Sequence, residues 1–448
     1  MPREKPHINL AVIGHVDNGK STTCGRLIFD LGLIDQKVLD QLKEEAKKYG
    51  KEGFEFAYLM DRSKEERERG LTIDPTHYKI TTKKYEITFI DLPGHRDFIK
   101  NMITGASQAD AAILVISARP GEAETALAPE TATSPQGQAR EHLILIRSLG
   151  IQQLIIAINK MDTVNYNQKR FEEVKNAVLT LARQLGYTDK NIKAVIPISA
   201  YFGDNVVKKS DKMPWYNGPT LYEALDLFEE PPKLVDKPLR IPIENIYNIK
   251  GVGLVPVGRV ESGRLKPGDR VVILPSRKPN GVVGEVKSIQ MHYQDLDEAL
   301  PGDNIGFNLK DVERSDIDRG DVVGKLGEPL PKVAEEIKAR IVVLYHPSQF
   351  TVGYTPVMHI HTATVAVKFV ELISKLDPKT GQEVEKNPQF LKAGDIAVVK
   401  LAPMKPVVAE RFEDFPNTTL GRFVIRDMGK TIAVGQVLEV KEKKVELK

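Results

Sequence analysis

Gly14-His15-Val16-Asp17-Asn18-Gly19-Lys20-Ser21 follows the apolar run Ile8 to Ile13 and leads into a helical pattern. Strand, glycine-bounded turn and helix in that order are the context in which the GxxxxGK[ST] spacing makes a phosphate-binding loop. The glycines let backbone N–H groups turn inward on phosphate oxygens. The Lys20 ammonium adds charge beside the β and γ phosphates, and the Ser21 hydroxyl can ligate Mg²⁺. At ordinary residue frequencies the pattern arises by chance in roughly one chain of this length in fifty, and its context lowers that further.

Further along, short apolar runs alternate with helical patterns up to about Phe228: Ile87 to Ile90, Ala111 to Ile116, Leu154 to Ile158 and Val195 to Ile198. That alternation predicts an α/β domain with a mostly parallel sheet. Three of the runs end in residues that suit a nucleotide. Asp91-Leu92-Pro93-Gly94 offers a carboxylate for a magnesium-bound water and a glycine N–H for the γ-phosphate. A D-x-x-G pattern turns up by chance about once or twice in a chain this long, so its position is what gives it weight. Asn159-Lys160-Met161-Asp162 supplies what guanine requires, because the Asp162 carboxylate can accept from N1–H and the 2-amino group together. Adenine presents no such pair of donors. Ser199-Ala200 can offer a backbone N–H to the guanine O6. Open α/β sheets bind ligands at the carboxyl ends of their strands, where each of these motifs falls. The residues alone therefore read as a GTP-binding domain that uses Mg²⁺.

The chain of 448 residues is too long for one core and predicts about three domains. Hydrophobic residues at 41% and charged residues at 28% fit a soluble, globular protein. A net charge of +3 permits a basic face for nucleic acid without requiring one. Cys24 is the single cysteine, which excludes an internal disulfide and fits a reducing compartment. No targeting pattern opens the sequence and no apolar run reaches bilayer length, so we expect a cytoplasmic protein without a membrane partner.

Residues 1–228 are assigned to the nucleotide domain. The proline-rich stretch 229–238 cannot continue a helix and reads as a linker. Beyond it, Val/Ile-rich runs punctuated by Gly263, Pro267-Gly268, Pro301-Gly302 and Gly320 predict two all-β barrels, 239–328 and 333–448. Leu391-Lys392-Ala393-Gly394-Asp395 echoes Leu265-Lys266-Pro267-Gly268-Asp269, which hints at shared turn chemistry. Asp35 to Arg69, with Val38, Leu39 and Leu42 at helical spacing, reads as an exposed helical insertion. Arg119 to Gln138 lacks periodicity and reads as a surface loop without assigned chemistry.

Gly14 to Thr22, Glu68-Arg69-Gly70-Leu71-Thr72-Ile73-Asp74, Asp91 to His95 and Asn159 to Asp162 resemble the motifs of translational GTPases. Lys212 to Pro219, Gly251-Val252-Gly253, Pro256 to Gly263, Asn387 to Phe390 and Arg426 to Thr431 narrow the resemblance to the elongation factor 1-alpha family over nearly the whole chain. It implies a P-loop GTPase domain followed by two β-barrels, GTP and GDP as substrate and switch ligand, and Mg²⁺ held by Ser21, Thr72 and, through water, Asp91. It implies that Thr22 belongs to the GTP site, that His95 positions the hydrolytic water, and that Val16 and Leu71 form an apolar gate beside it. Read alone, His95 would more often be a structural histidine, and His292 a surface strand residue. The resemblance instead assigns Gln290, His292 and Asn304 to the aminoacylated 3′ end of tRNA. Aminoacyl-tRNA, the ribosome and a guanine-nucleotide exchange factor are the implied partners, with release or rescue factors as an alternative cargo. The GTPase subunit of sulfate adenylyltransferase shares the plan, but Met213 to Pro219 and Arg426 to Thr431 argue against it. Two departures stand out: Asn18 where many relatives have histidine, and Gln290 where glutamate is expected.

Overall fold

The computed structural model describes residues 5–61, 63–129, 136–346 and 349–445. The chain divides into two compact units, Arg3–Arg147 with Ile151–Glu230, and a second that contains Pro231–Lys448. The first is built on β1 (His7–Ile13), β2 (Thr76–Thr81), β3 (Glu86–Asp91), β4 (Ala111–Ser117), β5 (Gln153–Asn159) and β6 (Ile192–Pro197). They form one six-stranded sheet in the order β2-β3-β1-β4-β5-β6. All pairs are parallel except β2–β3. β1 and β4 are buried along their whole length, which is why both read as unbroken apolar runs, as strands covered on both faces do. β2 lies at the antiparallel edge with half-buried residues, so it left no such run in the sequence.

The helices are α1 (Lys20–Asp30), α2 (Gln36–Lys48), α3 (Lys64–Arg69), α4 (Ile99–Ala106), α5 (Glu122–Leu127), α6 (Gln138–Ser148) and α7 (Gln168–Gln184). The insertion expected over Asp35 to Arg69 is α2 and α3. α2 buries Leu39, Leu42 and Ala46, while Val38 faces outward. The expected loop Arg119 to Gln138 differs. It contains α5, whose Ala123 and Ala126 are buried and whose Glu124 carboxylate accepts the Gly121 N–H. A two-turn helix with only alanines inward is too short and too weakly apolar to register as a period. Residues 130–135 of that stretch lie outside the described residues.

The second unit holds two antiparallel barrels. The first uses β7 (Ile241–Ile249), β8 (Gly253–Arg259), β9 (Arg270–Leu274), β10 (Val282–Met291), β11 (Gln294–Asp295), β12 (Asn304–Lys310) and β13 (Val322–Lys325). Its sheet runs β11-β10-β12-β8-β7-β13-β9 and closes through β9–β10. The second uses β14 (Ala334–Val343), β15 (Val357–Ile360), β16 (Ala363–Leu376), β17 (Glu383–Lys386), β18 (Ile396–Pro403), β19 (Arg422–Asp427) and β20 (Lys430–Glu442). It runs β15-β19-β20-β14-β18-β16-β17 and closes through β15–β16. Closure leaves few free edges, and alternate residues along β8 and β16 turn inward.

The echo between the barrels is exact in its hydrogen bonds. Asp269 accepts the Lys266 N–H and Asp395 the Lys392 N–H, at 2.8 and 2.9 Å, with Gly268 and Gly394 in the left-handed region at φ 90 and 91°. Leu300 to Asp303 repeats the same bond at 2.7 Å, with Gly302 at φ 94°. Between the barrels, Arg240 and Glu410 form a buried ion pair at 2.7 Å. The guanidinium also donates to the carbonyls of Leu239, Pro329 and Leu330. Thr362 donates to the Ile243 carbonyl and Thr419 to the Glu261 carboxylate across the same junction.

Candidate functional site

The carboxyl ends of β1, β3, β5 and β6 open on a cavity of about 550 Å³ whose lining includes Val16, Asp17, Lys20, Ser21, Thr22, Gly94, His95, Lys160 and Asp162. Its floor is the turn between β1 and α1. Gly14 and Gly19 sit at φ 148 and 89°, and a Cβ there would strike the Val115 carbonyl and the Asn159 amide. α1 begins at Gly19 with no side-chain cap, so its first N–H groups face the cavity unclaimed by a capping residue. Lys20 is buried, its Nζ 2.9 Å from the His15 carbonyl. Burial lowers its pKa, opposed by the charges of Asp91 and Asp17. A buried cation among helix N–H groups is an anion site.

Two residues of α6 hold this turn from behind. Gln138 Oε1 accepts the Val16 N–H at 3.2 Å, and His142 Nδ1 accepts the Gly14 N–H at 3.3 Å. His15 turns to the same helix and accepts the Gln138 N–H at 3.4 Å. Burial, then the charges of Lys20 and Arg96, lower its pKa, in keeping with a neutral acceptor. Asn18 donates to the Val115 carbonyl at 3.3 Å, so the departure at this position serves to tie the turn to β4.

Beside the turn the Ser21 and Thr72 hydroxyls lie 3.0 Å apart. Both carboxylate oxygens of the fully buried Asp91 lack a partner at hydrogen-bond geometry; Ser21 and Thr72 are still close enough to lower its pKa. Burial outweighs them and pushes Asp91 up to about 6. Asp61, also in the lining, is raised to about 8 by burial first and then by the charges of Asp91 and Glu66. A buried carboxylate with both oxygens unpartnered, as at Asp91, beside two hydroxyls is a donor set for a hard cation.

Thr72 is held from the side by Glu66, which sequence reasoning missed. Its Oε1 accepts the Ile73 and Asp74 N–H groups at 3.0 and 3.2 Å, and its Oε2 closes a capping box with Ser63. Burial pushes the Glu66 pKa up, but the N–H groups of Ser63, Ile73 and Asp74 outweigh it and hold the carboxyl below its ordinary value. The S-x-x-E spacing of Ser63 and Glu66 was the available signal.

His95 opens onto the cavity. Its Nδ1 accepts the Asp97 N–H at 3.2 Å, which engages that nitrogen and leaves Nε2 outside the contact. Val16 and Leu71 line the cavity as well.

On the base side, Ser199 Oγ donates to Asp162 Oδ1 at 2.6 Å and so aims the carboxylate. Asn159 is a brace: its Nδ2 donates to the Asn18 carbonyl and its Oδ1 accepts the Ala200 N–H, both at 2.9 Å. Of the Ser199-Ala200 pair expected to offer an N–H to guanine O6, the Ser199 N–H donates to the Asp204 carbonyl at 3.1 Å and the Ala200 N–H to Asn159, so both are already engaged. Lys160, at φ 63°, pairs with Glu122 of α5 at 2.8 Å. The stretch without assigned chemistry therefore supplies a wall of the cavity. Tyr201, also in the lining, was missed because an aromatic after Ser-Ala carries no signal by itself.

In the first barrel, Gln290 of β10 donates to Asp295 at 2.8 Å across a tight hairpin whose two turn residues, His292 and Tyr293, are left-handed. His292 is thus a turn residue. Gln290 pairs with Gly306 of β12, which brings His292 and Asn304 to the same end of that ladder.

Family models cover the chain in order: the elongation factor Tu GTP binding domain at residues 5–231, elongation factor Tu domain 2 at 253–324, and the GTP-eEF1A C-terminal domain-like family at 336–438. Elongation factor 1-alpha of Nanoarchaeum equitans is 60% identical over 448 residues, all of both chains. That of Pyrobaculum islandicum is 60% identical over 99% of this chain and 97% of its own. The GTP-bound GTPase-like domain of Ski7 from S. cerevisiae shares the fold, with a TM-score of 0.79 at 19% identity and 97% of each chain covered. Full-length identity at this level, with the elongation factor Tu GTP binding domain matched over residues 5–231, makes the chain a translation elongation GTPase of the elongation factor 1-alpha family.

Proposed function

We propose that the chain, in its GTP-bound state, carries aminoacyl-tRNA to the ribosomal A site in the cytoplasm, hydrolyses GTP there and leaves as the GDP form, to be recharged by an exchange factor. The observation that carries this reading is the convergence on one cavity of Lys20, the paired Ser21 and Thr72 hydroxyls, His95 and the Ser199-aimed Asp162. Ser21 and Thr72 would hold Mg²⁺, with Asp91 reaching it through water; the unpartnered Asp91 oxygens fit that role. The ion would offset charge on the β and γ phosphates.

Lys20 and the α1 N–H groups bind the phosphates, and the Asp162 carboxylate accepts the guanine N1–H and 2-amino group. His95 uses its Nε2–H to hold the attacking water in line with the γ-phosphorus. Val16 and Leu71 keep other water away. Gln290, His292 and Asn304 receive the 3′ end of the charged tRNA, which the family membership supports.

Single-turnover hydrolysis on programmed ribosomes tests the assignment. His95→Ala should keep GTP affinity and lose hydrolysis about a hundredfold or more, the usual scale for a positioned hydrogen-bond donor in the transition state. An unchanged rate would remove His95 from the reaction, and lost nucleotide binding would make it structural.

A further inference from the structure

We propose that Arg26 is a positioning residue that clips the loop beside the guanine base to the segment over the nucleotide, so that nucleotide release requires this clip to open. The proposal rests on the guanine reading of the cavity and deepens it.

Arg26 stands on α1, the helix whose first turn carries Lys20 and Ser21. Its Nη1 donates to the Tyr201 carbonyl at 3.1 Å. The same guanidinium lies 4.9 Å from the ring centroid of Phe56, which in turn meets Phe29 edge-on at 5.8 Å. Nε lies 2.9 Å from the Asp30 carboxylate one turn along α1, an ion pair without hydrogen-bond geometry that offsets the charge of the guanidinium. Tyr201 and Gly53 both line the cavity, and a Cβ on Gly53 would lie 3.5 Å from the Tyr201 ring. Residues 199–203 and 53–57 therefore meet over α1, and one guanidinium touches both.

Two glycines make room for it. Gly203, at φ 82°, would place a Cβ 2.6 Å from Arg26 Nη2, so a larger residue would push the loop off the guanidinium. On the other side a Cβ on Gly25 would collide with the Phe56 carbonyl, so α1 and the 53–57 segment are in backbone contact. Only a planar cation can donate at its edge while it stacks through its face; lysine does one or the other.

The segment 53–57 runs on to Asp61 and, beyond α3, to Thr72. The clip thus joins the base side of the cavity to the stretch that covers the phosphates and metal ligands. Without it the base loop and the covering segment fluctuate separately, and the nucleotide escapes whenever either opens. Lid motions of this kind set release rates in many enzymes.

Release of ribose-labelled fluorescent GDP, chased with unlabelled GDP, tests this on the full-length chain. Arg26→Ala should release GDP about tenfold faster, and Arg26→Lys should fall between it and the parent. Phe56→Leu should also be faster, while the double variant Arg26→Ala/Phe56→Leu should be no faster than Arg26→Ala, because both changes open one contact. Single-turnover cleavage of pre-bound GTP on ribosomes should keep the parent rate. Release from Arg26→Ala at the parent rate would overturn the clip. So would rates that multiply in the double variant, or melting temperatures that fall in step with release across the series, as general loosening would give. A parent that fails to hold GDP contradicts the guanine reading itself, which separates the two failures.

Discussion

Asp162, the proposed base reader, has its carboxylate held in place by the Ser199 hydroxyl at 2.6 Å. In Asp162→Asn the new amide N–H faces the guanine 2-amino group, donor against donor, whereas xanthine presents a carbonyl there. Unpaired buried polar groups cost about 1–3 kcal/mol each, so competition binding should show GTP weakened tenfold or more and xanthosine triphosphate strengthened. A variant that prefers GTP as strongly as the parent does would withdraw the guanine assignment. At this scale fixed spacings in the sequence named many of the residues that line the cavity, among them Lys20, Ser21, Gly94 and Asp162. It hid Glu66 beside Thr72 and Glu122 on Lys160, and it named Ser199 for its backbone N–H but not for the hydroxyl that meets Asp162. Each depends on a contact whose partner the sequence does not name.

Among the elements, the Glu66 carboxylate ties the two ends of the segment 63–74 together at Ser63, Ile73 and Asp74, beside Asn101, which donates to the Ile73 carbonyl at 3.0 Å. Glu66 has its pKa depressed in the folded state, so the stabilisation it provides is complete above the ordinary carboxylate value and is lost as pH falls through the depressed one. Protection of the Ile73 and Asp74 amides, measured as exchange relative to the unstructured rate at the same pH, should therefore stay constant from neutral pH down to about 4, near the ordinary carboxylate pKa, and fall below it. Glu66→Gln should remove that pH dependence and exchange faster at pH 7, since bonds to a charged acceptor are worth about 1.5–3 kcal/mol. Exchange that stays slow in the variant would mean that Thr72 is fixed by something else. The strands β1, β4 and β5 were legible as apolar runs and the barrel turns as Pro/Ala-Gly-Asp repeats, since burial on two faces and left-handed glycines leave direct marks. β2 and α5 were not legible. One is a half-buried edge, and the other buries only two alanines.

Across the molecule, the two barrels are joined through a charge pair shielded from water, with Arg240 2% and Glu410 1% exposed. Burial pushes the Glu410 pKa up against the pull of Arg240. Removing one partner strands the other, so Glu410→Ala should lower unfolding stability by about 3–5 kcal/mol in denaturant melts, and Arg240→Met/Glu410→Leu by clearly less. Equal losses would show that packing, not the stranded charge, carries the junction. The order of domains was readable from composition and turn residues. This junction was not, because Arg240 and Glu410 are 170 positions apart in the chain. Among the described residues no helix is long and apolar enough to cross a membrane. Under the proposed function the nucleotide in the cavity decides whether the chain holds charged tRNA. Filter binding of aminoacyl-tRNA to the GTP-loaded and GDP-loaded protein, with uncharged tRNA alongside, tests it directly. The account predicts tight binding of the aminoacylated form with GTP, weakening as salt rises, and loss of at least a hundredfold with GDP. Equal affinity in the two nucleotide states, or no preference for the charged over the uncharged tRNA, would contradict it.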